Sequence, residues 1–321
     1  MKWGKQYKVL LILGNGFDLS LGLKTSYTDF MESELFKQRV DIQYYPYGRR
    51  NEHDKNIHNY LTIQKGLSNW IDVEEELKKY ATGKRVEYFN MQGGLISTQN
   101  ASENVIKTNF NILCLDLQTY ISSLDYSALN RDALSLRLFR NVAASKNNDI
   151  VTFNYTDLNK LLESKARSSI SYIHGNIKDG IILGFQRFKE MASGYDYMIK
   201  SESPKYKSCH LPSKMREADE IIVYGHSLGS TDHCYFQPFF DEQTSANAKP
   251  KRFTVFTLNN VSKEQVVQQM VMLSKGEYTA FQDNTDVNVI ATENNDKVVG
   301  DYINGLCKRM KPNLLNRIFH N

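Results

Sequence analysis

The sequence predicts an α/β fold of the Rossmann-like type, in which helices cover both faces of a mostly parallel sheet. Short apolar runs rich in β-branched residues recur along the 321 residues. Segments with helical periodicity separate these runs, and turns rich in glycine follow several of them. Continuous apolar runs are typical of strands buried on both faces, and parallel strands need long crossover connections. This alternation therefore predicts the fold class.

Seven apolar runs are predicted as strands. Five of them are predicted to lie buried in the sheet: 8–13, 150–153, 181–183, 220–224 and 252–258. Two shorter runs, 171–173 and 287–290, are predicted as additional strands. In an open α/β sheet, ligands bind beyond the carboxyl ends of the strands, so the residues that follow each run are the first candidates for chemistry.

Helical periodicity marks six segments between the strands. They are 27–36, 67–80, 101–124, 129–146, 157–165 and 261–274. Residues 37–149 carry mostly helical patterning, so a mainly helical insertion, or lid, is predicted after the first strand. The length lies near the upper limit for one hydrophobic core, and we predict a single domain over 1–321.

Composition and charge favour a cytoplasmic globular protein. Forty Lys and Arg oppose 36 Asp and Glu, and the net charge of +4 is spread along the chain, which gives nucleic-acid binding no support. The run Val9 to Leu13 is far shorter than the roughly 20 residues that span a bilayer. The four cysteines form no Cys-x-x-Cys pair, so neither a metal site nor a disulfide framework is predicted.

The strongest local motif follows the first strand directly. It predicts a nucleotide-binding loop formed by Gly14, Asn15, Gly16, Phe17 and Asp18. Glycines at a strand-to-helix turn let the backbone approach a phosphate, and N–H groups at the start of a helix favour an anion. The spacing is G-x-G rather than the full G-x-G-x-x-G, so a tight turn needed only for packing is the alternative.

A second motif places Asn154 and Thr156 after the strand 150–153, and His174 about twenty residues later after another short strand. Thr156 is predicted to contact the nucleotide. Because both follow strands, Asn154 and His174 are expected to share one pocket. An imidazole can take a proton from water or a ribose hydroxyl, and an amide can position that water or sugar. The pair suits glycosidic chemistry, and the alternative for His174 is a structural side chain.

A third motif, residues 224–232, follows the strand 220–224. Its small residues allow close approach, and Gly225, Ser227 and Asp232 are predicted to contact the sugar or phosphate of a ligand. The same segment also fits the G-x-S-x-G nucleophile elbow of α/β-hydrolases, with Ser227 as nucleophile. That fold needs a later catalytic histidine, and neither His233 nor His320 is well placed.

A fourth cluster contains Trp70, Asp72 and Glu74. Trp70 and Glu74 share one helical face by their spacing. The simpler interpretation is an acidic, solvated face around a buried tryptophan. The alternative is a carboxylate that reaches the mouth of the ligand pocket.

Together these segments resemble the AbiH family of bacterial phage-defence proteins. The resemblance rests on Leu13-Gly-Asn-Gly-Phe-Asp18 with Gly22 and 25–27, on Trp70-x-Asp-x-Glu74, on Phe153-Asn-Tyr-Thr156, on His174-Gly175, and on Tyr224-Gly-His-Ser-Leu-Gly229 with Asp232. More distantly, the same order is similar to the sirtuin-type NAD fold, which has a glycine loop, an Asn-x-Asp turn, a His-Gly pair and a Gly-x-Ser loop.

The sirtuin-type resemblance implies that NAD is the substrate or ligand. It implies catalytic roles for Asn154 and His174, with Gly14, Gly16, Gly225 and Ser227 lining the dinucleotide. Thr156 stands where the sirtuin pattern has Asp, and the zinc-binding cysteine module of the deacylases is absent. Protein deacylation is therefore not expected.

The expected function is an abortive-infection protein that hydrolyses NAD at the nicotinamide–ribose bond once it is activated. Asn154 would orient the ribose or the water, and His174 would act as general base. The alternatives are a non-catalytic sensor of NAD or a related nucleotide that signals to a partner, and a hydrolase of another nucleotide. A phage-derived trigger or partner protein and a homo-oligomer are the expected partners.

Overall fold

The computed structural model describes residues 7–40, 56–66, 72–82, 88–89, 95–96 and 103–311. The chain divides into two compact units. The sheet unit comprises Met1–Leu23, Tyr126–Ile173 and Ser208–Asn321, and the helical unit comprises Lys24–Asp125 and His174–Lys207. The helical unit thus combines most of the predicted insertion with a later segment. The prediction of a single domain with a lid over 37–149 stays a prediction.

The strands of the described residues fall in three sheets. They are β1 Val9–Leu13, β2 Tyr88–Phe89, β3 Leu95–Ile96, β4 Asp149–Thr152, β5 Ser169–Tyr172, β6 Gly175–Asn176, β7 Gly180–Ile181, β8 Glu220–Tyr224, β9 Lys251–Thr257 and β10 Thr285–Ala291. Six of them form one sheet in the order β10-β9-β8-β1-β4-β5, and each neighbouring pair is parallel. The predicted parallel sheet is confirmed.

Helices occupy most of the intervals between the strands. They are α1 Asn15–Ser20, α2 Tyr27–Glu32, α3 Glu34–Lys37, α4 Ile57–Gly66, α5 Val73–Tyr80, α6 Glu103–Ser122, α7 Leu134–Ala143, α8 Leu211–Glu217, α9 His233–Gln243, α10 Asn260–Leu273, α11 Tyr278–Asn284 and α12 Asp296–Met310. Among the helices of the described residues, none is both long and apolar enough to cross a membrane.

Two apolar cores cover the two faces of the sheet. Alternate residues of β1 point to opposite faces, so Leu11 belongs to one core with Phe139 of α7 and Ile303 of α12. Ile12 belongs to the other core with Phe239 of α9, beside α8, α10 and α11. All five residues of β1 are fully buried. This two-sided burial explains why β1 carries no polar residue and confirms the predicted helices on both faces.

The strand order reverses direction at β1. From β1 the chain first adds β4 and β5 on one side, and only later adds β8, β9 and β10 on the other. The carboxyl ends of β1 and β8 therefore flank the topological switch point of the sheet. In open α/β sheets the ligand crevice lies at this point.

The helical unit is built around α6, against which α3 and α4 pack. The side chain of Asp116 on α6 is buried and accepts hydrogen bonds from Arg39 at 2.9 and 3.2 Å. His58 of α4 lies 3.5 Å from the same carboxylate, and its ring packs on Phe36. Burial lowers the pKa of His58 to about 4, so its ring is neutral at physiological pH.

Three predicted elements differ from the structure. The helix predicted over 157–165 is wrong beyond a single 3-10 turn, Leu158–Leu161, because Leu158 and Leu161 are buried whereas the next turn, 163–165, is exposed. The helix over 27–36 is interrupted at Ser33, which ends α2 and accepts a hydrogen bond from the backbone of Phe36 as the N-cap of α3.

The third difference concerns the strand predicted over 181–183. Ile181 pairs in β7 with β6 in a short antiparallel ladder outside the six-stranded sheet. The residues Ile182 and Leu183 are buried without being part of a strand. Of the helix predicted over 67–80, residues 67–71 lie outside the described residues and α5 confirms the remainder from Val73.

Candidate functional site

Two loops meet backbone to backbone at the switch point, one after β1 and one after β8. The N–H of Gly14 donates to the carbonyl of Tyr224 at 3.0 Å, and the N–H of Gly16 donates to the carbonyl of Gly225 at 2.8 Å. A Cβ on Gly225, whose φ is +64°, would lie 2.4 Å from the backbone nitrogen of Phe17. These glycines therefore allow the two loops to touch.

This contact corrects one expectation about the loop after β1. The backbone N–H groups of Gly14 and Gly16 already donate to protein carbonyls, and that of Phe17 donates to the carbonyl of Gly14 at 2.9 Å. These three donors are therefore not available to a phosphate in this conformation. The side chain of Phe17 is fully buried against Phe139, which makes it a core residue. Asn15 is the exposed side chain of the loop. Contact between this loop and a nucleotide through other atoms stays a prediction.

A buried polar cluster lies directly beneath the loop. The amide of Asn154 donates to the carbonyl of Gly14 at 3.0 Å, and the hydroxyl of Thr156 donates to the carboxyl Oδ2 of Asp18 at 2.9 Å. Asp18 is fully buried, which raises its pKa to about 7. Burial, followed by the charge of Asp18, raises the pKa of Tyr126 to about 12. The cluster thus fixes Asn154 and keeps a carboxyl that can hold a proton near neutrality.

The role predicted for Asp18 changes with this geometry. A side-chain contact between Asp18 and a nucleotide requires an accessible oxygen, whereas the Asp18 side chain is fully buried and binds Thr156. Sequence comparison with the sirtuin pattern found Thr156 where that pattern has a carboxylate. In the structure α1 brings the carboxyl of Asp18 to Thr156, although the two residues are 138 positions apart in the sequence.

Replacing Asp18 by Asn should remove a pH dependence of stability. The folded-state pKa of about 7 lies above the ordinary aspartate pKa of 3.8, so the folded state holds the proton more tightly. Stability from this group is greatest at low pH and is lost as pH rises towards about 7. We expect the advantage of Asp18→Asn in unfolding free energy to grow by about 3 kcal/mol from about pH 5 to about pH 8. The unfolding free energy of both proteins is measured with urea at each pH. A difference between them that does not change with pH would contradict this prediction.

The loop after β8 contains a buried histidine, His226, that no sequence motif marked as a site residue. The Nδ1 of His226 accepts a hydrogen bond from the backbone N–H of Leu228 at 3.0 Å, so the proton lies on Nε2. That nitrogen is 3.3 Å from Oδ2 of Asp232. The ring packs on Phe153 with centroids 4.2 Å apart. A histidine and an aspartate after one buried strand were the signal available in the sequence.

The nucleophile-elbow alternative fails on backbone geometry. In that motif the serine sits on the strained turn between strand and helix. Here the left-handed residues are Gly225 and Leu228, with φ of +64° and +54°, whereas Ser227 does not have a positive φ. Ser227 is exposed, and His226 beside it is turned towards Asp232.

His174 belongs to the helical unit, where it meets two buried charges. The ammonium of Lys200 lies 3.1 Å from Nε2 of His174 and 2.7 Å from Oε2 of Glu74. Lys200 is fully buried, and His174 and Glu74 are 4% and 7% exposed. Glu74 is therefore not part of a solvated acidic face, and the ion pair was not anticipated because Lys200 stands in a polar segment without a motif. Trp70 lies outside the described residues.

The structure assigns the predicted site residues to the two units. The helical unit contains His174. The sheet unit contains the other predicted site residues: the glycine loop, Asn154, Thr156, Gly225, Ser227 and Asp232. The shared pocket of Asn154 and His174 stays a prediction. Among the described residues, no group of three His, Cys, Asp or Glu side chains could hold a metal ion.

The family model described as "Bacteriophage abortive infection AbiH" matches residues 10–255. The chain belongs to the AbiH family. The match runs from β1 into β9 and includes the glycine loop, Asn154, His174 and the loop after β8. No curated protein matches the chain. Membership in the AbiH family supports a role in abortive infection, a bacterial defence against bacteriophage.

All four sequence motifs lie within the residues that the AbiH model matches. The glycine loop and the loop after β8 lie in one unit at the switch point, and Glu74 and His174 lie in the other unit in one ion-pair cluster. Helix α12 and strand β10 lie beyond the matched residues of this AbiH chain.

Proposed function

We propose that this AbiH protein carries out its abortive-infection role by hydrolysing NAD at the bond between nicotinamide and ribose. The observation that supports this best is the pair of loops at the switch point, with the amide of Asn154 anchored beneath them on Gly14. Ligands of open α/β sheets bind at this position. The choice of NAD as the ligand rests on the resemblance to sirtuin-type NAD proteins.

The chemistry would depend on the chain's own polar groups. Cleavage of a nicotinamide–ribose bond passes through a transition state with oxocarbenium character, as in glycoside hydrolysis. The oxygen of the Asn154 side chain would orient the ribose or the attacking water, because its amide nitrogen is already held by Gly14. His174 would accept the proton of the water as general base.

The binding part of the proposal fits NAD through side chains rather than through backbone donors. Asn15 and Ser227 are exposed on the two loops and can contact the phosphates or riboses. His226 and Asp232 form a polar pair beside Ser227. The N–H groups of Gly14 and Gly16 are engaged within the protein, so we assign them no phosphate contact in this conformation.

Replacing either proposed catalytic residue should abolish NAD loss. Purified protein is incubated with NAD, with and without extract of phage-infected cells, and nicotinamide is followed by chromatography. Loss of a general base lowers rates by about a hundredfold or more, so we expect that fall for His174→Asn, with a comparable fall for Asn154→Ala. The same variants should lose phage protection.

The control variant is His210→Asn, which changes an exposed histidine of the sheet unit whose left-handed backbone, φ of +50°, asparagine tolerates. It should retain both activities. Phage protection by the double variant Asn154→Ala/His174→Asn would overturn the proposed mechanism, provided that the variant folds.

A second candidate function is a non-catalytic sensor that binds NAD or a related nucleotide and signals to a partner. The observation that favours it is the burial of Asn154 and His174 at 6% and 4% exposure, with hydrogen bonds already made. A sensor should be stabilised against heat by NAD that remains intact for hours. Cleavage of a nucleoside triphosphate instead of NAD in the same assay would identify the third candidate, a hydrolase of another nucleotide.

A further inference from the structure

The buried cluster of His174, Lys200 and Glu74 has a fixed geometry within the helical unit. The backbone N–H of Lys200 donates to the carbonyl of Phe185 at 2.9 Å, and the N–H of Phe185 donates to the carbonyl of Met198 at 3.1 Å. This ladder holds the backbone of Lys200 in place. Its ammonium then reaches Glu74 at 2.7 Å and His174 at 3.1 Å.

The protonation of Lys200 follows from its surroundings. An ammonium that is fully removed from water is costly unless an anion and hydrogen bonds compensate it. Glu74 supplies the anion, and it stands in the first turn of α5, where the helix dipole favours negative charge. Asp72 caps the same helix end by accepting from the backbone N–H groups of Glu74 and Glu75. These groups favour the charged form of Lys200.

Fold stability alone does not account for such a cluster. A buried ion pair stabilises a fold no better than apolar residues of similar volume, because the desolvation cost offsets the attraction. A cationic group against an imidazole also disfavours the imidazolium form of that imidazole. The feature that the arrangement does determine is the position of the proton on His174.

An ammonium has donors and no acceptor, so in this contact Nε2 of His174 accepts and its proton lies on Nδ1. We infer that Lys200 is a positioning residue that holds His174 neutral and protonated on Nδ1, and so keeps it from acting as a base in the described conformation. This inference rests on the proposed function and adds its regulation. Nε2 already accepts a hydrogen bond from the ammonium, and Nδ1 already carries a proton. Neither nitrogen can therefore take a proton from water.

Activation would then require that the ammonium leave Nε2, which restores a lone pair that can accept one proton from the attacking water. In the same reaction the water oxygen bonds to the ribose carbon, and nicotinamide leaves with the electron pair of the broken bond. The requirement agrees with an abortive-infection protein, which must remain silent in uninfected cells.

The test measures the protonation of each ring nitrogen of His174 by nuclear magnetic resonance. The full chain is labelled with 15N-histidine, and the His174 signals are assigned by their loss in His174→Asn. In the unchanged protein we expect protonated Nδ1 and unprotonated Nε2. Lys200→Arg keeps the positive charge and its N–H donors, so the folded variant should preserve this tautomer.

Lys200→Met alone leaves the carboxylate of Glu74 buried without its cation, so it can fail to fold. The double variant Glu74→Gln/Lys200→Met removes both charges at nearly constant volume and keeps the test open. In it we expect Nε2 to become protonated, and the imidazolium form to appear at a pH at least one unit higher than in the unchanged protein. An unchanged tautomer and an unchanged titration in a folded double variant would overturn the inference.

An activity assay separates this inference from the proposed function. If NAD is the substrate, the double variant should release nicotinamide without phage extract at least tenfold faster than the unchanged protein. A changed tautomer with NAD intact in every protein, with and without phage extract, would contradict NAD hydrolysis and still support the role of Lys200.

Discussion

Replacing Gly225 by Ala should cost several kcal/mol of unfolding free energy. The new methyl group would lie 2.4 Å from the backbone nitrogen of Phe17 and 2.5 Å from Cα of Gly16, and backbone atoms cannot rotate away. Overpacking costs about 1–3 kcal/mol. The left-handed φ of +64° adds about 1–2 kcal/mol for a residue with a Cβ. Urea unfolding measures the sum.

Gly22 provides the matched control for Gly225. It also has a left-handed backbone, with φ of +84°, but a Cβ there would meet nothing within 4 Å. Gly22→Ala should therefore show only the conformational part of the loss, about 1–2 kcal/mol. Equal losses in the two variants would show that contact between the two loops at the switch point does not matter for stability.

Replacing Arg309 by Met should destabilise the sheet unit by about 3–5 kcal/mol, because it leaves a buried carboxylate without its cation. Glu220, the first residue of β8, is fully buried and accepts from Nε and Nη2 of Arg309 at 3.0 and 2.8 Å. The hydroxyls of Tyr7 and Tyr302 complete its shell at 2.9 and 2.7 Å. Two neutral donors do not replace a guanidinium.

Arg252 is the control for this variant. Its ion pair with Asp286 has a similar length, 2.9 Å, but both side chains are about half exposed, at 42% and 54%. Arg252→Met should cost less than about 1 kcal/mol. The double variant Glu220→Gln/Arg309→Met should regain much of the loss, because no buried charge remains. A loss below about 1 kcal/mol for Arg309→Met would contradict a role for this ion pair in stability.

The central strands β1 and β8 were predictable because burial on both faces leaves a continuous apolar run. The run 220–224 was predicted with the same bounds as β8. Helix α9 was not predicted because Pro238, in its interior, signals a helix break. Its buried residues Phe236, Phe239 and Phe240 pack against the sheet and compensate for the lost hydrogen bond.

The candidate site was predictable at the level of position and less so at the level of contacts. A glycine indicates that something approaches the backbone closely, but it does not say what. At Gly14 and Gly16 the approaching group is the loop after β8 rather than a phosphate. Lys200 carried no signal, because its partners Glu74 and His174 lie far from it in the sequence.

The position of β1 also affects the order in which this chain folds during synthesis. Its five apolar residues are made before the strands with which they pair, β4 and β8, which begin at Asp149 and Glu220. At about 5–20 residues per second, the ribosome supplies the nearer partner on the order of ten seconds later. During that interval an unpaired apolar strand is exposed to other nascent chains, so synthesis of this protein should depend on chaperones that shield β1.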